Sequence, residues 1–151
     1  MDNTYMLLAI EEAKQAASEN EVPIGAVIVR RGEVIASAHN TREKERDATC
    51  HAELSAIKEA CKRLGGWHLT DCTLYVTLEP CPMCAGAIIN SCIDRVVFGA
   101  FDSRDGSFGS VVDLSAYPYS RRPTVEGGVM EKECRTLLSE FFKNIRKKKK
   151  L

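Results

Sequence analysis

No apolar run in this 151-residue sequence approaches the ~20 residues needed to cross a bilayer. The longest, such as Gly25 to Val29 and Val96 to Phe98, fall far short. A secretory leader is also missing: Met1 to Thr4 is polar, and an amphipathic helical pattern with acidic residues in its middle follows. The expectation is a protein with no membrane role and a cytoplasmic location. A disulfide framework is lacking too, because the seven cysteines are an odd number and the chain is not small. Cys50, Cys61, Cys72, Cys92 and Cys134 stand singly in apolar patterns and read as small buried side chains. No internal repeat or interdomain linker is visible, and low complexity is confined to a lysine tail.

Net charge is also absent, but the zero is a sum of unlike parts. Six of the 21 basic residues fall between Lys143 and Lys150 with no acidic neighbour, leaving 15 basic against 21 acidic residues elsewhere, a net of −6. An acidic body with a basic tail argues against broad nonspecific nucleic-acid binding and allows a local phosphate contact. With 44% apolar residues, one core is affordable. The reading is a single domain over residues 1–142 with a basic tail over 143–151.

The periodicities describe alternating helices and strands. Asn3 can cap a helix with Met6, Ala9, Ile10, Ala13, Ala16 and Ala17 on one face, ending before Pro23. Ile24 to Val29 and Val34 to Ala38 read as a hairpin around Arg30-Arg31-Gly32-Glu33. Thr41 to Thr49 reads as an exposed loop. Cys50, Leu54, Ile57, Cys61 and Leu64 mark a helix closed by Gly65-Gly66. A strand over Thr73 to Leu78, a helix opened by Pro82, a strand over Arg95 to Ala100 and a helix over Glu131 to Lys143 complete the pattern. Such alternation predicts an α/β fold, a three-layer sandwich whose later strands run parallel.

What the sequence does hold is His51-Ala52-Glu53 and, 30 residues on, Pro80-Cys81-Pro82-Met83-Cys84. One imidazole and two thiolates favour zinc over magnesium or calcium, which prefer oxygen. Three protein ligands leave a coordination position for water, which separates a catalytic zinc site from a structural one. Both pieces fall at strand-to-helix junctions, where amide protons and the helix dipole concentrate positive potential. Lowered thiol pKa values are therefore expected at both Cys81 and Cys84. Glu53 is a poor fourth ligand and a good proton carrier. It can take a proton from an activated water and deliver protons to a ring nitrogen and a departing amine. Positions i and i+2 do not face each other on a helix, so His51 and Glu53 meet one reactant only over the helix mouth. A bare C-x-x-C would suit a zinc knob that staples the fold; both halves in order favour an enzyme. His39 and His68 are not needed, and His68 is expected to pack beside Trp67.

On these residues the chain resembles the cytidine-deaminase-like superfamily and, within it, the bacterial tRNA adenosine deaminases. The likeness runs from about Glu12 to Phe142. It is carried by Glu21 to Val27, His39-Asn40, Cys50 to Glu53, Thr73 to Ala87 and Arg95 to Ala100, with Cys-Ala-Gly-Ala and Val-Val-Phe-Gly-Ala pointing to the tRNA branch. The resemblance implies an α/β/α sandwich with a mixed sheet of about five strands. It also implies one Zn2+ per subunit on His51, Cys81 and Cys84, with Glu53 as the catalytic proton shuttle. Asn40 is implied to hydrogen-bond the target base, the backbone at Ala52 and Glu53 to hold the reacting oxygen and the base edge, and Asp102 to contact the neighbouring nucleotide. The implied partners are a tRNA anticodon stem-loop and a second copy of the chain, in a homodimer. Conversion of wobble adenosine to inosine, with release of ammonia, is the implied activity.

Other readings stay open beside these. Asn40 could close the strand end, and Asp102 could be a turn residue in Asp-Ser-Arg-Asp-Gly. Arg104 is suited to phosphate, and Phe108 to either a splayed base or the core. Where the tRNA enzymes usually carry an Asn-His-Arg stretch before the last strand, this chain reads Tyr119-Ser120-Arg121-Arg122-Pro123. A deaminase of a free nucleobase or nucleoside (guanine or cytosine) would keep the same metal site. A silent zinc-bearing RNA-binding subunit would not need Glu53.

Overall fold

Alternate side chains of the first strand, β1 (Gly25–Arg30), enter two different cores in the computed structural model, which describes residues 1–150. Ala26 and Ile28 join one apolar cluster, while Val27 and Val29 join the other, as the two-residue period of a strand requires. The first cluster is covered by α3 (Ala52–Leu64) and α4 (Pro82–Asn90), through Ala52, Ala56, Ile57, Ala60, Ala85 and Ile88. The second lies under α1 (Asp2–Ser18) and α5 (Glu131–Lys149), through Met6, Ala9, Ile10 and Cys134. A sheet covered on both faces is the three-layer α/β/α sandwich that the sequence pattern predicts. Each fully buried aliphatic side chain contributes ~1.5–3 kcal/mol.

The sheet order is β2-β1-β3-β4-β5, with β2 (Glu33–His39), β3 (Cys72–Leu78), β4 (Arg95–Ala100) and β5 (Thr124–Gly127). β1 runs antiparallel to β2 and β3, whereas β3, β4 and β5 are parallel, so the sheet is mixed. The hairpin turn at Arg31 and Gly32 has φ of +50° and +79°, the pair of positive values that a two-residue turn of this kind needs. α1 crosses β1 closely at Gly25, where a Cβ would collide with the Ala9 carbonyl and the Ala13 amide.

Several expectations need correction. The first helix starts at Asp2 with Met1 at its cap position, so Asn3 is inside it. Its opening is fixed instead by tertiary contacts: Asp2 receives two hydrogen bonds from Arg95 (2.9 and 2.7 Å) and one from Tyr75 (2.7 Å). The loop over Thr41 to Thr49 contains a short helix, α2 (Arg42–Glu45). β5, a four-residue edge strand, was not located by any apolar alternation. α5 continues to Lys149, so residues 143–149, read as a basic tail, are helical. Of the five isolated cysteines, Cys72 and Cys134 are buried and Cys50, Cys61 and Cys92 are half-buried; all are free thiols. Trp67 and His68 do pack together, with ring centroids 3.6 Å apart. No described helix is long and apolar enough to cross a membrane.

Candidate metal centre

Two helix starts meet here: α3, reached from β2 through α2, and α4, which follows β3. His51 occupies the cap position of α3 and Cys81 that of α4, both with extended backbone (ψ 152° and 174°). Neither side chain caps its own helix, so both are available to a shared space. Pro82, in the first turn of α4, fits there because a missing amide proton costs nothing. Cys84, one turn in, is fully buried.

These positions bring three donors together. His51 Nδ1 lies 3.7 Å from Cys81 Sγ and 3.5 Å from Cys84 Sγ, and all three donor atoms fall within 4.8 Å of one another. A tetrahedral zinc, with ligand distances of ~2.0 Å to nitrogen and ~2.3 Å to sulfur, requires a nitrogen–sulfur separation of about 3.5 Å. The cluster therefore fits zinc without rearrangement, and it is the one such group of donors among the described residues.

The expectation of two lowered thiol pKa values holds at only one cysteine. Hydrogen bonding from Cys84, reinforced by His51, brings Cys81 down to about 4 against the opposing effect of burial. Cys84 is pushed up, because its proton is shared with Cys81 and because it is buried near Glu53. The hydrogen bond to Cys81 raises His51. Two adjacent thiolates repel, so one thiol keeps its proton until a cation displaces it.

Glu53, in the first turn of α3, is 3% exposed, and its Oε1 has no hydrogen-bond partner. Burial pushes its carboxyl up to about 7, with a smaller downward pull from its own backbone amide and from His51. His51 and Glu53 line one cavity of about 590 Å³ with Cys81, which meets the condition that both face a reactant over the helix mouth.

Asn40 and Asp102 also line this cavity, as does Arg104. Asn40 is buried, and its Oδ1 accepts the Ala52 amide proton at 2.8 Å. That amide already has a partner within the protein. The Asp102 Oδ1 accepts the Arg104 and Asp105 amides at 3.0 and 3.3 Å, forming a turn of its own loop. Phe108 is 5% exposed and belongs to the core, which removes it as a stacking platform.

The remaining walls have no signal in the sequence. Arg135, Leu138 and Phe142 of α5 reach the cavity, as does Arg42 at the start of α2. Glu21, buried beside Val22, accepts the Glu43 and Lys44 amides at 3.1 and 2.8 Å and thereby fixes α2. Nothing in the spacing of Arg42 or Arg135 marks them as residues of the site.

The profile of the cytidine and deoxycytidylate deaminase zinc-binding region matches residues 1–100. The tRNA-specific adenosine deaminase of Bacillus subtilis (strain 168) is 53% identical over 150 residues, covering 99% of this chain and 93% of that protein. The tRNA-specific adenosine deaminase of Aquifex aeolicus (strain VF5) is 47% identical over 143 residues, covering 94% of each. A solved structure from studies of A-to-I editing by wobble-position tRNA deaminases is 43% identical, with a TM-score of 0.86 over 89% of this chain and 99% of that one. Three clustered donors, a buried carboxylate beside them, the family match over residues 1–100 and 53% identity over 150 residues lead to one placement: the chain belongs to the cytidine and deoxycytidylate deaminase zinc family, as a close homologue of the bacterial tRNA-specific adenosine deaminases.

Proposed function

We propose that this protein hydrolyses the 6-amino group of adenosine at the wobble position of tRNA, giving inosine and ammonia. The observation that carries this reading is Glu53: a buried carboxylate with one unpartnered oxygen, facing the same cavity as His51 and Cys81. A structural zinc knob has no use for a buried acid of this kind, which costs stability and is therefore expected where it performs chemistry.

His51, Cys81 and Cys84 would hold zinc, which when bound supplies Lewis acidity that makes water a nucleophile near neutral pH. Glu53 Oε1 takes one proton of the attacking water and passes it to the ring nitrogen as the oxygen bonds to the ring carbon. It then takes the remaining proton of the new hydroxyl and delivers it to the amino group, whose bond to the carbon breaks as it leaves as ammonia. Adenosine and water are consumed, and inosine and ammonia result. With its Oδ1 held by Ala52, Asn40 has its amide hydrogens to offer the base edge. The cavity of about 590 Å³ accepts a base only after it leaves its stack, which suits a single-stranded anticodon loop.

Arg42, Arg104 and Arg135 on the cavity wall supply positive charge for the phosphates flanking the base. Arg121 and Arg122, where the family stretch before the last strand is replaced, are exposed and open to the same use. The same reading includes a homodimer and a cytoplasmic location, where tRNA is met. Sedimentation of the purified protein tests the dimer.

Incubation with an anticodon stem-loop bearing a wobble adenosine, beside free adenosine, guanine and cytosine, tests the reaction. Inosine should form in the stem-loop alone, and its formation should weaken steeply with salt. Ammonia from a free base with an inert stem-loop would overturn the substrate. No ammonia from any of them would leave a silent RNA-binding subunit.

A further inference from the structure

A third buried carboxylate sits two residues before Cys81 and is outside the cluster of metal donors. Glu79 follows β3 and is 1% exposed. Its oxygens accept four hydrogen bonds, all from one loop. Asp102 N donates to Oε1 at 3.0 Å, while Phe108 N and Ser110 N donate to Oε2 at 3.1 and 3.0 Å. The Ser110 hydroxyl donates to Oε1 as well. Two backbone bonds run alongside, Glu79 N to the Ala100 carbonyl (2.9 Å) and Ser107 N to the Pro80 carbonyl (2.9 Å). At Gly106 a Cβ would collide with Glu79 Cδ and Oε1 and with the Asp102 carbonyl, so the loop closes around the carboxylate at a position that only glycine fits.

The latched loop carries one wall of the cavity. Phe101, Asp102, Ser103, Arg104 and Asp105 line it, and Arg104 is exposed at its surface. Apart from Glu79, this segment is held by turn bonds such as Gly106 N to the Asp102 carbonyl (2.9 Å), by Ser107 N to the Pro80 carbonyl and by the bridge between Phe108 and Asp113, with no strand or helix of its own. Glu79 joins the turn that presents Cys81 to the loop that presents Arg104.

We propose that Glu79 is a positioning residue for substrate recognition: it fixes the loop over residues 101–110 as a wall of the cavity and so sets affinity for the nucleotides beside the target base. It does not touch the reacting atoms. The proposal rests on the tRNA deaminase reading above.

Glu79→Gln tests it with little change in shape. An amide presents NH2 where one oxygen stood, and each oxygen now serves two donors, so two of the four donors face a donor. Ser110→Ala is the milder variant, removing one bond, and Val111→Ala, at a side chain 60% exposed just beyond the latch, is the control. For Glu79→Gln, KM for an anticodon stem-loop should rise about tenfold, the scale of one or two lost net hydrogen bonds, with kcat changed less than about threefold. Kd for the same RNA, measured in a Glu53→Ala background, should rise by a similar factor. Zinc content should hold, and amide exchange should accelerate at 102, 108 and 110. Ser110→Ala should move the same quantities by about threefold, and it decides the matter alone if Glu79→Gln does not fold. Unchanged KM and Kd with faster exchange would overturn the proposal, as would unchanged exchange or a loss confined to kcat. Failure of the function reading looks different, since wild-type protein would then form no inosine in the stem-loop.

Discussion

Asn40 and Ala52 are joined by a 2.8 Å hydrogen bond that ties the residue after β2 to the first residue of α3, next to the metal ligand His51. The side chain at position 40 is thus an acceptor for the protein, and on the proposed function it is also a donor for the base. Asn40→Asp keeps the acceptor and loses the donor. It should retain zinc and fold while kcat/KM falls about tenfold to a hundredfold, the cost of one or two lost hydrogen bonds. Asn40→Ala loses both, leaves the buried Ala52 amide unpaired, and should also lower Tm by several degrees. Metal analysis with kinetics on a stem-loop distinguishes them. Equal behaviour of the two variants would show that the Ala52 bond carries no weight.

Glu53→Gln removes the proposed proton carrier and leaves the three donors in place. Turnover should fall at least about a thousandfold, with zinc stoichiometry unchanged by atomic absorption. Loss of zinc in this variant would instead assign Glu53 to the coordination sphere.

Cys84→Ala deletes a fully buried ligand and lets the two remaining donors bind the ion weakly. Its Tm should match that of chelator-treated wild type, and both should lie about 10 °C below the zinc-loaded protein. Scanning calorimetry with and without chelator checks this. A chelator effect of the same size on the variant would move the site elsewhere.

Gly25 lies where α1 presses on β1, and a side chain there would enter the backbone of Ala9 and Ala13. Gly25→Ala should cost about 3 kcal/mol or more, since a helix backbone cannot yield as a side chain can. Denaturant unfolding measures it. A loss below about 1 kcal/mol would mean that α1 can lift off the sheet without penalty.

Asp2 links acid stability to the placement of α1. Hydrogen bonds from Arg95, with help from Tyr75, hold its carboxyl at about 2 against an ordinary 3.8. A carboxyl lowered by folding adds stability above its ordinary value, and that stability disappears as pH falls through the lower one. With a side chain 30% exposed, the contribution should be discounted to about 1 kcal/mol. Between pH ~4 and ~2, wild type should therefore lose about that much more stability than Asp2→Asn, by urea unfolding at each pH.

The sequence carried the chemistry and most of the elements. His51-Ala52-Glu53 and Pro80-Cys81-Pro82-Met83-Cys84 were legible because ligand type and spacing are local properties, as are the apolar periods that set α1, α3, α4 and the first four strands. Less legible were segments whose order comes from distant partners. α2 has four residues and no buried side chain, and Glu21 holds it. β5 has no buried residue of its own and exists because it pairs with β4. Glu79 looked like one more acidic residue in a motif, since nothing nearby in the chain shows that four donors from residues 102–110 would close on it.

By itself, then, the order of residues determined which groups could bind a soft cation and move protons, because side-chain chemistry travels with the residue. Tertiary structure alone decided which carboxylate is left with a free oxygen. Glu21 and Glu79 are buried with backbone amides on them, whereas Glu53 is buried with Oε1 unpartnered beside three metal donors. Three acids of one type take different roles because hydrogen-bond donors reach two of them fully and leave one open, and donor placement is a property of the folded chain.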